Sequence, residues 1–514
     1  MSLARNIAIV GLSTLVSRVL GFVRDVAIAG LFGAGPRADA FVIAFQFNNL
    51  ARRLLTEGAL NSAFVPLYLR KRLDGGDEAG TRFAGQVIGT VTLVLIVLAV
   101  ALAFAMPLLV GMLAPGFTDS PERFSLATEI ARLMLPYLVL AGPIAVLMGV
   151  LNAHQHYFAT ATTTVLFNVV VLCAVALVVL MQAGDSDKAA WIVALSIAVA
   201  GLCQLGLVIA AVIAGKQHVP LHGLLNRADT RSFATLALPG LMASGIPQLT
   251  IIAGAMIVSA HPGAVSFLYY ANRLIELPLG IVGIAVGTVM TPTLAHIARD
   301  EPEGWPAVRH GLEISLALAL PAAIALVTLA GPIIHILFER GAFTASDSQA
   351  TAALLAAMAC GLPGHVLLKA LSPLFFARQD THTPMIAAAT GLVVSIAVGF
   401  ALVSSMGPLG VAIAIALSGW CAAATLGLFA LRRKMLPSGL IDWTRLALIL
   451  LAAIAMGIAV RLMAGEFGLY TTGTSGRWLM AGKLAAVILG GLVLYLGSLW
   501  LFRIVRPSDL RQLS

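Results

Sequence analysis

The run FAGQVIGTVTLVLIVLAVALAFAMPLLVGML, Phe83 to Leu113, carries no charged side chain. A helix rises about 1.5 Å per residue, so roughly 20 apolar residues cross the ~30 Å hydrocarbon core of a bilayer. This stretch is long enough to do so. Working outward from it, the chain reads as about fourteen apolar spans, at 8–32, 37–69, 82–113, 124–152, 158–182, 189–214, 231–259, 265–297, 306–337, 347–376, 384–405, 408–433, 443–465 and 478–503. The first two are the least apolar, and a helix carrying charge must turn it away from lipid. The expected fold class is an all-α, polytopic membrane protein.

Composition agrees. Of 514 residues, 60% are hydrophobic and 11% charged, and mean hydropathy is +0.97. A soluble chain carries about 25% charged residues. No long polar stretch exists to build a separate soluble domain. The net charge of +9 does not point to nucleic acid, because the basic residues lie mostly in short loops between spans. Loops after even-numbered spans hold most of them, from Arg70, Lys71 and Arg72 to Arg432, Arg433 and Lys434. Loops after odd-numbered spans hold only Arg37, Arg123, Lys188, Arg340 and Arg477. Positive charge stays cytoplasmic, so both termini are expected inside a bacterial inner membrane. The N-terminal apolar run reads as a retained first helix, since Arg18, Arg24 and Asp25 follow it and no small-residue cleavage site does. Cys173, Cys203, Cys360 and Cys421 lie in apolar runs and read as small packing residues rather than metal ligands. No nucleophile elbow, zinc-hydrolase, phosphate-loop or dinucleotide pattern occurs in a sensible context, and His154 and His156 are two apart in a loop. We expect no enzyme activity, no metal and no cofactor.

The chain repeats itself. Phe117-Thr118-Asp119-Ser120 matches Phe343-Thr344-Ala345-Ser346, Ala153-His154-Gln155 matches Ala377-Arg378-Gln379, and Val65-Pro66-Leu67 matches Thr291-Pro292-Thr293. The shared offset of about 224–226 residues implies a duplication. Six spans per copy puts both copies in the same orientation, a parallel repeat of the kind that places substrate at a central cavity and alternates access. The expected division is an N-lobe at 1–220, a C-lobe at 221–436 and two extra helices at 437–514.

Ionised side chains inside spans are the best functional clues, because each costs about 2.5–3.5 kcal/mol at mid-bilayer even on the lenient insertion scale. They are Arg18, Arg24, Asp25, Asp39, Arg52, Arg53 and Glu57 in the first copy and Arg273, Glu276 and Lys369 in the second. Arg18 and Asp25 share a helix face at a spacing of seven. Arg53–Glu57 and Arg273–Glu276 have the spacing of interacting pairs. Six cations stand against four anions, and a surplus of arginine suits a phosphate or pyrophosphate, onto which guanidinium forks. Competing readings stay open: Arg52 and Arg53 snorkelling to an interface, Asp39 capping a helix, and Lys369 as a structural residue. The extra helices, with only Arg461 and Lys483 as internal charges, read equally as a groove for a long acyl or isoprenoid chain or as bundle padding.

Ser17-Arg18-Val19-Leu20-Gly21-Phe22-Val23-Arg24-Asp25 resembles the opening of the MurJ (MviN) lipid II flippases. So do Phe32-Gly33-Ala34-Gly35, Ala38-Asp39-Ala40-Phe41, Asn49-Leu50-Ala51-Arg52-Arg53-Leu54 with Glu57-Gly58-Ala59, and Ala63-Phe64-Val65-Pro66. Further along, Ala114-Pro115-Gly116-Phe117, Tyr269-Tyr270-Ala271-Asn272-Arg273-Leu274-Ile275-Glu276-Leu277-Pro278 and Phe376-Ala377-Arg378-Gln379-Asp380-Thr381 are similar too. The resemblance covers nearly the whole chain. It implies fourteen helices in two lobes, within the multidrug/oligosaccharidyl-lipid/polysaccharide exporter superfamily. It also implies translocation of lipid II to the outer leaflet for peptidoglycan synthesis, with lipid II and membrane lipids as partners, and the cell-division or elongation machinery as a further expected one. Arg18, Arg24, Asp25, Asp39, Arg52, Arg53, Glu57, Arg273 and Glu276 fall on the family's functional charges, and Lys369 joins them as a substrate-binding candidate from its place in a span. The resemblance further implies that helices 13 and 14 form the lipid-tail groove. Asn272 stands where the family pattern has an acid, and spans 7 and 11 carry no acid for a coupling ion. Three rivals are weighed: a flippase for another polyprenyl-linked oligosaccharide, which shares the cavity sign; a drug/cation antiporter, which needs an acidic cavity; and a membrane glycosyltransferase, which needs a large periplasmic loop.

Overall fold

A computed structural model describes residues 3–56, 59–217, 219–220, 223–297, 305–433, 435–436, 442–470 and 476–502. Among these, every regular element is helical, with sixteen α-helices and one short 3₁₀ turn at Pro115–Phe117. Nine helices are long and apolar enough to cross a membrane, or ten if the bent pair Ala345–Ala359 (α11) and Leu362–Phe376 (α12) is one span. The all-helical, multi-span class is as expected; fourteen crossings are not counted among the described residues. α1 (Leu3–Phe32) and α2 (Pro36–Thr56) carry Arg18, Arg24, Asp25, Asp39, Arg52 and Arg53 of the charges that the sequence flagged.

Several boundaries differ from the apolar runs for local reasons. α3 (Ala59–Leu113) turns sharply at Gly76, whose φ of 77° and ψ of −178° only glycine adopts readily. The run at 306–337 divides into α9 (Trp305–Thr328) and α10 (Ala330–Phe338). The run at 347–376 bends by 43° between α11 and α12, where Pro363 opens α12. There the Trp420 indole N–H donates to the Cys360 carbonyl at 2.9 Å, satisfying an acceptor at the break.

The chain forms two compact units. The first comprises residues 1–266 and 340–343, the second residues 267–339 and 344–514. In the first, α4 (Pro121–Ala153) is the core helix, with Ile130, Met134, Tyr137 and Ile144 all buried. Around it lie α2, α5 (Tyr157–Leu180) and α6 (Asp187–Ala214), contributing Phe41, Phe167 and Ile197 to the same interior. The outer face of α3 is the reverse: Phe104 is 82% and Leu108 67% exposed. A large apolar face left bare in this way is a lipid-facing surface. Cys173, Cys203 and Cys360 are exposed free thiols, so the packing role expected for them is corrected. An apolar side chain on a span is stable facing either lipid or protein, and composition does not separate the two.

The duplication is visible in backbone geometry. Gln155 and Gln379, one repeat apart, both take left-handed φ values, 61° and 58°. Each ends its helix with the same closing bond, His156 N–H to the Leu151 carbonyl at 2.8 Å and Asp380 N–H to Phe375 at 3.0 Å. The repeats also exchange contacts inside the first unit. A Cβ on Gly33 (φ +63°), at the end of α1, would collide with the Ala342 carbonyl, and Ala342 N–H donates to Gly30 at 2.9 Å. Reciprocally, a Cβ on Gly116 would collide with the backbone of Ala260, just past α7 (Arg227–Val258), and Gly116 N–H donates to Ser259 Oγ at 3.0 Å. In each repeat the turn after the third helix thus packs on the end of the other repeat's first helix, which is why residues 340–343 cluster with the first unit.

In the second unit, α15 (Trp443–Glu466) and α16 (Arg477–Leu501) are anchored to α9. Pro321 cannot donate to the Ala317 carbonyl four residues back, and the Tyr495 hydroxyl of α16 donates to that carbonyl at 2.6 Å. The same solution serves the first unit: Pro107 leaves Ala103 without its helical donor, and Arg132 Nε donates to Ala103 at 2.9 Å. At the start of α15, Asp442 caps Thr444 and Arg445 and pairs with Arg309 at 2.7 Å. Arg309 and Arg445 both reach Glu313, at 2.7 and 3.2 Å. Trp443, Trp478 and Trp500 stand exposed at helix ends, the places where indoles meet a membrane interface.

An arginine-centred candidate site

Arg24 lies on α1 among Gly21, Val26 and Ile28, all buried. A lone guanidinium in such surroundings is strongly disfavoured unless bonded. Arg24 is 6% exposed and Asp25 1%. Arg24 Nε and Nη2 both donate to Asp25 Oδ1, at 3.0 and 2.7 Å, and Nη1 donates to Asn168 Oδ1 at 3.0 Å. The guanidinium carbon lies 4.8 Å from the Phe45 ring centre and 5.8 Å from that of Phe167, within cation–π range. Arg52 sits 5.8 Å from the same Phe167 ring, with Nε and Nη2 on Asn49 Oδ1 at 3.2 and 2.9 Å. Phe45, Asn49 and Arg52 follow one face of α2 at spacings of four and three. One aromatic ring therefore has two guanidinium groups beside it, one held by a carboxylate and one by an amide.

Asp39 belongs to a different cluster. It is fully buried and accepts from Gly263 N–H at 2.8 Å, Ser266 N–H at 2.9 Å, Ser266 Oγ at 2.7 Å and Arg123 Nη2 at 2.9 Å. Four donors fill the lone pairs of a carboxylate. Arg123 also lies 4.5 Å from the Phe117 ring. Asp39 does cap a helix, but it is the start of α8 (Ala264–Ile297) rather than its own. Arg123, read from the sequence as a loop cation, is 8% exposed in the first turn of α4.

The other expected residues fall as follows. Arg18 is exposed on α1, and the ion pair described for Asp25 is with its neighbour Arg24. In the second unit, Arg273 and Glu276 pair on α8 at 2.9 Å, as their spacing implied, and both are half-buried. Lys369 is exposed on α12. The Arg53 side chain and all of Glu57 lie outside the described residues. Sequence reasoning missed Asn168, Asn49, Phe45 and Phe167. It screened spans for ionised groups alone; an amide in the apolar run of α5 was a signal of the same kind.

Comparison with known proteins agrees with this architecture. A family model described as lipid II flippase MurJ matches residues 28–479. A probable lipid II flippase MurJ of Rhizobium tropici is 37% identical, over 89% of this chain and 86% of that protein. The lipid II flippase MurJ of Burkholderia cenocepacia is 31% identical over 97% of both. Among solved structures, a lipid II flippase MurJ in an inward closed conformation superposes with a TM-score of 0.78 at 25% identity, over 96% of this chain and 98% of that one. An inward-facing multidrug resistance MATE family transporter shares the fold at a TM-score of 0.69 and 14% identity, covering 82% of this chain and 94% of that one. The chain belongs to the MurJ family of lipid II flippases.

Proposed function

We propose that this chain moves lipid II from the cytoplasmic to the periplasmic leaflet of the bacterial inner membrane by alternating access, without catalysing a chemical reaction. The observation that carries the reading, beside family membership, is the Arg24–Phe167–Arg52 cluster, because buried guanidinium is suited to a pyrophosphate. In this mechanism Arg24, Arg52 and Arg53 grip the pyrophosphate while the lipid tail stays in the membrane along the 437–514 helices, and Arg273 is a further substrate-binding candidate. Asp25, Glu57 and Glu276 hold the arginines between turnovers. A substrate anion competes with those acids, and its differential affinity for the two access states shifts their balance. The membrane potential acts on cavity charge at about 2.3 kcal/mol per charge per 100 mV and resets the empty carrier. Residues 1–220 and 221–436 are the moving lobes, both termini are cytoplasmic, and the division or elongation machinery is the expected consumer of the exported lipid.

The test is depletion of this chain followed by a leaflet-accessibility assay. Lipid II should accumulate where a hydrolase added outside cannot reach it. Unchanged outer-leaflet lipid II, with another polyprenyl-linked saccharide trapped inside, would transfer the assignment to that substrate.

A further inference from the structure

Asn168 stands in the apolar run Val165-Leu166-Phe167-Asn168-Val169-Val170 of α5 and is 4% exposed. An amide so placed is costly unless all its groups are bonded. Its Nδ2 donates to the Ser17 carbonyl on α1 and to Thr164 one turn back on α5, both at 3.2 Å. Its Oδ1 accepts from Arg24 Nη1. The opposite amide orientation would set NH₂ against the guanidinium and oxygen against two carbonyls, so the neighbours fix which atom faces Arg24. Ser17 and Arg24 are seven apart and share a face of α1. Helical side chains lean toward the N-terminus, so Arg24 reaches back to the very amide that is pinned to Ser17.

We propose that Asn168 is a positioning residue for substrate binding: it orients the Arg24 guanidinium toward a lipid-linked pyrophosphate without neutralising it. This rests on the reading of Arg24 as a pyrophosphate contact. Asp25 takes Nε and Nη2 through a single oxygen, a hold that lets the plane pivot. A second acceptor on Nη1 fixes the plane. Among the described residues three of the five guanidinium N–H groups are thereby engaged, and one on each terminal nitrogen is left to fork onto a phosphate. An aliphatic residue at 168 would leave Nη1 poorly bonded. A carboxylate there would stay ionised beside the guanidinium and cancel the charge that the substrate must meet.

The experiment uses the full chain in lipid nanodiscs with lipid II as the probe, measuring Kd by titration. Variants are Arg24→Ala, Asn168→Asp, Asn168→Leu and the double variant Asp25→Asn/Asn168→Asp. Asn168→Asp is isosteric yet should bind lipid II about tenfold more weakly, the scale of one charge-assisted bond. The double variant moves the single carboxylate from position 25 to 168 and should recover most of that loss. Weak binding by Asn168→Asp that Asp25→Asn does not relieve marks a packing role and overturns the proposal. So does wild-type binding by both single Asn168 variants when Arg24→Ala binds poorly, an outcome that leaves the Arg24 reading intact. Wild-type binding by Arg24→Ala defeats that reading and this inference with it.

Discussion

Replacing Asp39 with asparagine changes one atom and should destabilise the first unit severely. The carboxylate receives two donors on each oxygen: Ser266 N–H and Oγ–H on Oδ1, Gly263 N–H and Arg123 Nη2–H on Oδ2. An asparagine must turn its NH₂ toward one of these pairs, and either choice sets donor against donor. Hydrogen bonds to a charged group contribute about 1.5–3 kcal/mol each, so losing two costs about 3–6 kcal/mol. Arg123 is itself buried, and an ion pair broken from one side leaves the other charge stranded, a loss of about 3–5 kcal/mol that overlaps the first figure. A total near 5 kcal/mol is the expectation. Thermal denaturation in detergent, followed by near-ultraviolet circular dichroism, measures it. The cycle with Arg123→Met separates the contributions: once the cation is gone, Asp39→Asn should cost at least about 2 kcal/mol less. An Asp39→Asn protein that melts with the wild type, or costs that add without coupling, would refute the clasp.

Tyr495→Phe removes the donor to the carbonyl vacated by Pro321 and should cost about 1–2 kcal/mol. Restoring a backbone N–H with Pro321→Ala should shrink that penalty in a double-mutant cycle, and an unchanged penalty would reject the proline argument. Burial pushes the Asp380 carboxyl up, but the Thr383 hydroxyl and N–H, then Arg433, outweigh it and bring it down to about 2. A depressed carboxyl stabilises the fold fully above its unfolded value near 4 and loses that contribution as pH falls toward 2. Asp380→Asn should therefore lower stability at neutral pH and flatten its dependence between about pH 4 and 2; an acid-limb melting profile unchanged from the wild type would contradict this.

Class and repeat were legible in the sequence because bilayer physics is severe. Long apolar runs have few alternatives, and the left-handed turns at Gln155 and Gln379 sit inside one matched pair of triads. Helix breaks were less legible. Hydropathy does not register Gly76, or the bend before Pro363, since both lie in chain that remains compatible with helix on either side. The charged residues were found, but not their partners. Asp39 bonds to groups more than 80 residues away, and Arg24 to Asn168, 144 residues on. Pairing rules along one helix reach only three or four positions, so they gave Arg273–Glu276 and could not give Arg24–Asn168.

Reconstituted lipid II translocation probes the buried cation most directly. Liposomes holding the wild-type chain and lipid II are compared with liposomes holding an equal amount of folded Arg24→Ala protein, and outer-leaflet lipid II is followed over time. The account predicts movement by the wild type and a rate for Arg24→Ala indistinguishable from protein-free vesicles. Wild-type translocation by Arg24→Ala would contradict it.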